Sequence, residues 1–235
     1  MTTRKRISVI ALLALLAGGV LAPSADAAAT RYITVSAQGA VKVVPDAVRI
    51  NATATAVAAS SKEALAATAK TSTAVRAALK SAKIDTKDIA TQSVTVYPEY
   101  KYTSDGGSTL TGYRGSQSFT IIVRAADTAG SLVDALVTAG GDNLQINGAT
   151  PFVLDSTKSL EAVRAAAVKS AKSKAASYAK LMGAKLGKVN YLIENSAPTN
   201  YTPVMAVAKA ESDATVIDLG QQDVTISVTV QWSLL

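Results

Sequence analysis

Ser177 and Lys180 stand three residues apart in "SYAK". On a helix that spacing sets a lysine amine beside a serine hydroxyl, as in a serine nucleophile served by a lysine base. The Ser-Asp-Asn and Lys-Thr-Gly motifs that accompany Ser-x-x-Lys in penicillin-binding proteins are missing. Lys180 also falls on the polar side of its helix, so the pair reads as helix surface. Other nucleophile–base arrangements lack material, because the chain holds no histidine and no cysteine. That excludes Ser-His-Asp and Cys-His catalysis, histidine-held zinc or haem, thiol redox chemistry and iron–sulfur ligation. Carboxylates are sparse. Asp85 and Asp88 flank a helix-to-strand turn, and Asp213 and Asp218 sit in a stretch without period. None makes the Asp-x-Asp-x-Asp-Gly pattern of a calcium loop. Gly18-Gly19 and Gly106-Gly107 do not form a phosphate loop. The expectation is a protein that is not an enzyme, with no catalytic residue, no metal ligands and no cofactor.

Two groups could still bind something. Gly112-Tyr113-Arg114 sets a flexible residue, an aromatic ring and a fork of donors side by side. Lys158, Lys169, Lys172 and Lys180 line one side of a long helical stretch. That stripe reads either as a solvated face or as a surface for an anion.

The chain opens on "MTTRKRISVIALLALLAGGVLAPSADAAAT". Arg4, Lys5 and Arg6 form a basic start, residues 7–22 an apolar run, and Ala25-Asp26-Ala27 a small-residue cleavage site. This is the pattern of a secretory signal peptide, here residues 1–27, cleaved after about Ala27. The apolar run has 16 residues, short of the roughly 20 that span a bilayer. No second run of that length follows, so no membrane span is expected in the mature chain, residues 28–235. Its place is extracytoplasmic, secreted or in the cell envelope. Without cysteine no disulfide can staple it, and its 208 residues rely on burial alone. Formal charge is +7 over the whole chain, and removing the leader leaves 21 basic against 16 acidic side chains, +5. A basic envelope protein can hold to an anionic envelope polymer by charge. Basic residues interleaved with aromatics, the mark of nucleic-acid binding, are not present.

Elements follow from period and punctuation. "RYITVSAQGAVKVV" and "AVRINATATAV" alternate as strands around Pro45-Asp46, a break between two strands or a kink in one. Ser60 and Glu63 have capping-box spacing before a helix with Leu65, Thr68, Ser72, Val75 and Leu79 along one side. "DIATQSVTVYPEYKY" and "TGYRGSQSFTIIVR" read as a hairpin about Gly106-Gly107. A turn centred between those glycines sets Tyr100 opposite Tyr113, Glu99 opposite Arg114 and Val94 opposite Phe119. Such cross-strand pairs are worth about 0.2–1 kcal/mol each. Asp127 is placed to cap a short helix and Ser156 a long one. The long helix points Leu160, Val163, Ala167, Ala171, Tyr178 and Leu181 inward. "KVNYLIENSA" is a strand, residues 196–222 an irregular loop, and "DVTISVTVQWSL" a closing strand with Val224, Ile226, Val228, Val230 and Trp232 on one face. The order predicts an α+β fold, mainly antiparallel sheets with three helices packed on them, in one domain or two lobes.

Taken together, "ITVSAQGAVKVVPDAVRI", "LKSAKIDTKDIATQSVTVYPEY", "LTGYRGSQSFTIIVR", the long Ala-Lys helix and "VTISVTVQWSL" resemble the SIMPL-domain family of periplasmic or secreted bacterial proteins. The likeness covers about residues 32–235. It implies an extracytoplasmic α+β protein without an established catalytic site, linked to the envelope and to stress tolerance, with oligomeric assembly as a family trait. It marks Pro45, Asp46, Gly112, Tyr113 and Arg114 as fold signatures. Two readings of function stand: a non-enzymatic envelope protein acting as a homo-oligomer or through a partner, and a binding module for an anionic polymer or small ligand.

Overall fold

The computed structural model describes residues 31–102, 104, 106–195 and 214–235, together with the backbone of Thr202–Val204. The expected signal peptide lies outside the described residues. Strands β1 (Tyr32–Val43) and β2 (Ala47–Ala58) are followed by helix α1 (Ser61–Ser81) and the hairpin β3 (Ile89–Tyr102) and β4 (Ser108–Val123). Then come α2 (Ala129–Gly140), β5 (Leu144–Phe152), α3 (Thr157–Leu181), β6 (Leu186–Glu194), β7 (Thr202–Val204) and β8 (Gln221–Leu234). The fold is α+β, with two antiparallel sheets. One sheet runs β3-β4-β2-β5; the other runs β1-β8-β6, with β7 also on β8.

The alternation of β1 and β2 does not make them a hairpin. β1 pairs along its length with β8, from Tyr32 opposite Ser233 to Val43 opposite Gln222. β2 lies between β4 and β5 in the other sheet. Pro45-Asp46 is the break at which the chain changes sheets. Pro45 is buried, and the Asp46 carboxylate accepts the Leu154 N–H at 2.7 Å. Gln222 adds a second tie between the sheets, its side-chain amide donating to the Pro151 carbonyl at 2.9 Å.

Each sheet buries its own apolar face. Val48, Ile50, Phe119, Ile121 and Val123 pack with Val75 and Leu79 of α1 and Leu132 and Leu136 of α2. Val35, Val224, Ile226, Val228, Val230 and Trp232 pack with Val163, Ala167, Ala171 and Ala175 of α3. Large side chains of this kind contribute about 1.5–3 kcal/mol each when fully buried.

Both helix–sheet contacts are close because a glycine faces the helix. A Cβ on Gly115 would lie 2.7 Å from the Ala64 carbonyl oxygen of α1. A Cβ on Gly39 would run into the Ala167 nitrogen and Val163 carbonyl of α3. This approach corrects the expected inward faces. On α1, Ala64 is buried and Leu65 is exposed. On α3 the buried row is Val163, Ala167, Ala171, Ala175 and Ala179, while Tyr178 and Leu181 face outward, 46% and 79% exposed. Beyond Val163 the buried row narrows to alanine alone.

The Ser60–Glu63 capping box forms in both directions, with Glu63 N–H donating to Ser60 Oγ and Ser60 N–H to the Glu63 carboxylate. The other two expected caps differ. Asp127 falls in a 3-10 turn, Ala126–Thr128, and Thr128 precedes α2 without a side-chain cap. At α3, Asp155 rather than Ser156 receives the Thr157 N–H.

The stretch expected as one loop, 196–222, is not uniform. Thr202–Val204 pairs with β8, and β8 itself begins at Gln221. Residues 214–220 run back over the first core, where Ile217 and Leu219 pack. Thr215 donates to the Asp134 carboxylate through its backbone N–H and its hydroxyl, at 3.2 and 2.6 Å. Residues 196–201 and 205–213 lie outside the described part.

Candidate functional site

The Gly112-Tyr113-Arg114 stretch sits in β4, in a register different from the expected one. Arg114 pairs with Tyr97, Tyr113 with Pro98, Gly112 with Glu99 and Tyr100 with Leu110. The Tyr100–Tyr113 pairing therefore does not form, Val94 faces Gln117, and Phe119 faces Thr91. Two things shift the ladder. Tyr102 pairs with Ser108, so the turn centres before Gly106. Thr111 is then an extra residue between the Glu99–Gly112 and Tyr100–Leu110 pairs, a bulge held by its hydroxyl donating to the Glu99 carbonyl at 2.8 Å.

Glu99 and Arg114 still meet, along the diagonal. Arg114 Nη2 lies 2.6 Å from Glu99 Oε1, with each side chain about one-third exposed. The hydrogen bond that Arg114 donates to Glu99 holds the guanidinium even further above its usual range, against the smaller opposing effect of desolvation. Glu99 Oε2 is buried and has no hydrogen-bond partner among the described residues. Gly112 is buried at φ +155, with the Ala58 carbonyl oxygen 2.8 Å from where a Cβ would be. The triplet is thus built into the ladder by its backbone and its arginine, while Tyr97, Tyr100 and Tyr102 stand out from the neighbouring strand.

Lys158, Lys169, Lys172 and Lys180 are all exposed on α3, and among the described residues none is in an ion pair. Lys169 shares an open depression of about 690 Å³ with Ser170, Ser173, Lys174, Ser177 and Tyr178. Ser177 and Lys180 lie on this outer face, away from any enclosed space.

A smaller cleft of about 240 Å³ lies between the end of α1 and the end of β4. Its charged lining is Lys83, Asp85, Asp88 and Arg124, the last two a two-pronged pair at 2.7 and 2.8 Å. Arg124's hydrogen bonds, opposed by burial, hold the Asp88 carboxyl below its usual range. Each member satisfies the other, so the pair serves as a clamp between the α1–β3 turn and β4. Among the described residues no three His, Cys, Asp or Glu side chains converge.

The feature that residue patterns did not single out is the pair of sheet edges. β3 and β5 end one sheet and β1 and β6 the other, and among these edges β3 and β6 stand out. Both leave large apolar side chains in water: Val94, Tyr97, Tyr100 and Tyr102 on β3, and Val189, Tyr191, Leu192 and Ile193 on β6. On β6 they point to both faces. Leu192 is opposite buried Val230 on the α3 side, whereas Tyr191 and Ile193 are opposite Gln231 and Thr229 on the other. The signal in the sequence was the unbroken apolar triplet Tyr191-Leu192-Ile193, which lacks the alternation of a half-buried strand.

Comparison with known proteins places this architecture. The family model for SIMPL, a protein of unknown function (DUF541), matches residues 33–232. The chain belongs to the SIMPL family. Among relatives, the 26 kDa periplasmic immunogenic protein of Brucella melitensis is 28% identical over 215 residues, covering 86% of this chain and 84% of that protein. The uncharacterized protein YggE of Edwardsiella ictaluri is 31% identical, covering 92% of each chain. The YggE protein of Escherichia coli K12 is 30% identical, covering 88% of this chain and 83% of its own length. Among the described residues of this SIMPL protein, no helix is long and apolar enough to cross a membrane.

Proposed function

We propose that the chain is an extracytoplasmic envelope protein that acts without catalysis, by associating with copies of itself. The observation that carries this reading is the exposed apolar side chains on two of the outer strands, β3 and β6. Unpaired backbone beside exposed apolar residues is a template for another strand. The amino-terminal leader pattern and the periplasmic relative support the location. The test is the native mass of the protein purified after export, by light scattering. A mass of two or more chains is expected, and a strict monomer at micromolar concentration overturns the reading.

The lysine face of α3 supports a second reading, binding of an anionic envelope polymer. Its specific support is the exposure of all four lysines and the place of Lys169, with Lys174, in a depression lined with serine hydroxyls. Such binding should weaken steeply with salt. It should weaken further in a Lys169→Glu, Lys172→Glu variant. Retention on immobilised anionic polysaccharide that neither salt nor these substitutions change would remove it.

A further inference from the structure

The two apolar edges, β3 and β6, are not equally open to a partner. β3 carries Pro98 in its middle, which offers no N–H, and its ladder with β4 is irregular at Thr91/Ser93 and at Glu99/Tyr100. Proline and bulges are the devices by which natural edge strands avoid pairing. β6 has no proline. Its ladder is irregular before Tyr191, but Tyr191 to Glu194 pairs with β8 in unbroken register, and Asn195 N–H continues it to the Ser227 carbonyl at 2.9 Å. Among the described residues, no strand pairs with the other edge of this run.

A partner for that run must be apolar on both faces. Tyr191 and Ile193 face one way, 39% and 52% exposed, and Leu192 the other, 47% exposed. β6 itself meets that requirement. Resting on the self-association proposed above, we propose that β6 pairs antiparallel with β6 of a second copy, about a two-fold axis at Leu192. This register keeps every side chain on its own face, as side-chain alternation requires. Leu192 meets Leu192 of the other copy on the α3 side, and Tyr191 meets Ile193 twice on the opposite side. An aromatic ring against a β-branched chain is a favourable cross-strand pair. Antiparallel pairing also keeps Lys188 of one copy away from Lys188 of the other and brings it toward Glu194, which already accepts from Arg164 of its own α3. α3 packs on β1 and β8 and touches β6 through the Arg164–Glu194 ion pair at 2.9 Å, leaving the helix-side residues Val189 and Leu192 uncovered. The two sheets become one, with a two-fold interface of the self-complementary kind.

The absence of cysteine from the chain makes the test direct. Directly opposed residues in an antiparallel ladder have Cα atoms about 4.5 or 5.5 Å apart, within the roughly 4.4–6.8 Å that a disulfide spans. Leu192→Cys, purified after export and mildly oxidised, is expected to run as a covalent dimer on a non-reducing gel. Val94→Cys, on the edge of β3, is expected to stay monomeric on the same gel. Ile193→Lys, at an exposed position, is expected to lower the native mass at least two-fold with an unchanged circular dichroism spectrum. An associated wild type with no Leu192→Cys dimer and no effect of Ile193→Lys overturns the β6 pairing and leaves self-association standing. Cross-linking at Val94 instead assigns the interface to β3 and also overturns it. A monomeric wild type removes both proposals.

Discussion

Arg114 and Glu99 form their ion pair across a diagonal of the hairpin, each facing a different residue in the ladder: Arg114 faces Tyr97 and Glu99 faces Gly112. The Thr111 bulge sets this offset. With about one-third of each side chain exposed, water screens the pair, and a coupling of about 0.5–1 kcal/mol is expected. A double-mutant cycle with Glu99→Gln and Arg114→Met, read by urea unfolding, checks it. Gly112→Ala is a separate matter of backbone. Its φ of +155 and the nearby Ala58 carbonyl should cost about 1–3 kcal/mol, more than either ion-pair variant.

Gly39 controls how closely α3 approaches β1. Gly39→Ala sets a methyl group against α3 backbone, which cannot rotate out of the way. Overpacking of this kind costs about 1–3 kcal/mol, and each kcal/mol lowers the melting temperature by about 2–4 °C in a chain of this size. Ala40→Ser, one residue along and on the exposed face, should change stability by less than about 0.5 kcal/mol. Thermal unfolding of the two variants side by side makes the comparison, and equal melting temperatures would contradict the close contact.

The Asp88–Arg124 clamp gives a pH dependence with a defined sign. Because Arg124 holds the Asp88 carboxyl below its unfolded value, the folded state keeps the charge where the unfolded state has lost it. The stabilisation is complete above the unfolded value of about 3.9. It is lost as pH falls through the lower, folded value. Asp88→Asn should cost about 1–3 kcal/mol at pH 7. It should also flatten the stability profile below about pH 4, where other carboxylates continue to contribute. Urea midpoints at pH 7 and pH 3 for both proteins read this, and a variant whose slope equals that of the wild type would rule the clamp out as its source.

The capping box on α1 predicts a loss of about 0.5–2 kcal/mol for Ser60→Ala. Ser60→Asp, which keeps an acceptor at the same place, should recover most of it. Chemical denaturation of the three proteins provides the measurement.

What could be read from residue order was local. The Ser60–Glu63 cap, the alternation of β8 and the strand break at Pro45-Asp46 depend on chemistry within a few residues, and the structure contains all three. The register of the hairpin was not legible, because one extra residue at Thr111 and an earlier turn centre move every pair, and neither has a strong local signature. The inward face of α3 differs from the expected one at Tyr178 and Leu181, because the buried row continues through the small residues Ala175 and Ala179, which hydrophobic period alone does not favour over large ones.

By itself the sequence determined the class of this protein. It determined the strands and helices other than the short strand Thr202–Val204, the leader pattern, and the absence of histidine and cysteine chemistry. Tertiary structure decided which strands share a sheet. β1 finds β8 at the far end of the chain and not the adjacent β2. It also decided which apolar residues remain uncovered. Burial is a property of what packs above a residue. Tyr191, Leu192 and Ile193 look like core in one dimension, yet they stand at an edge where α3 touches β6 through Arg164 and Glu194 and leaves these three uncovered.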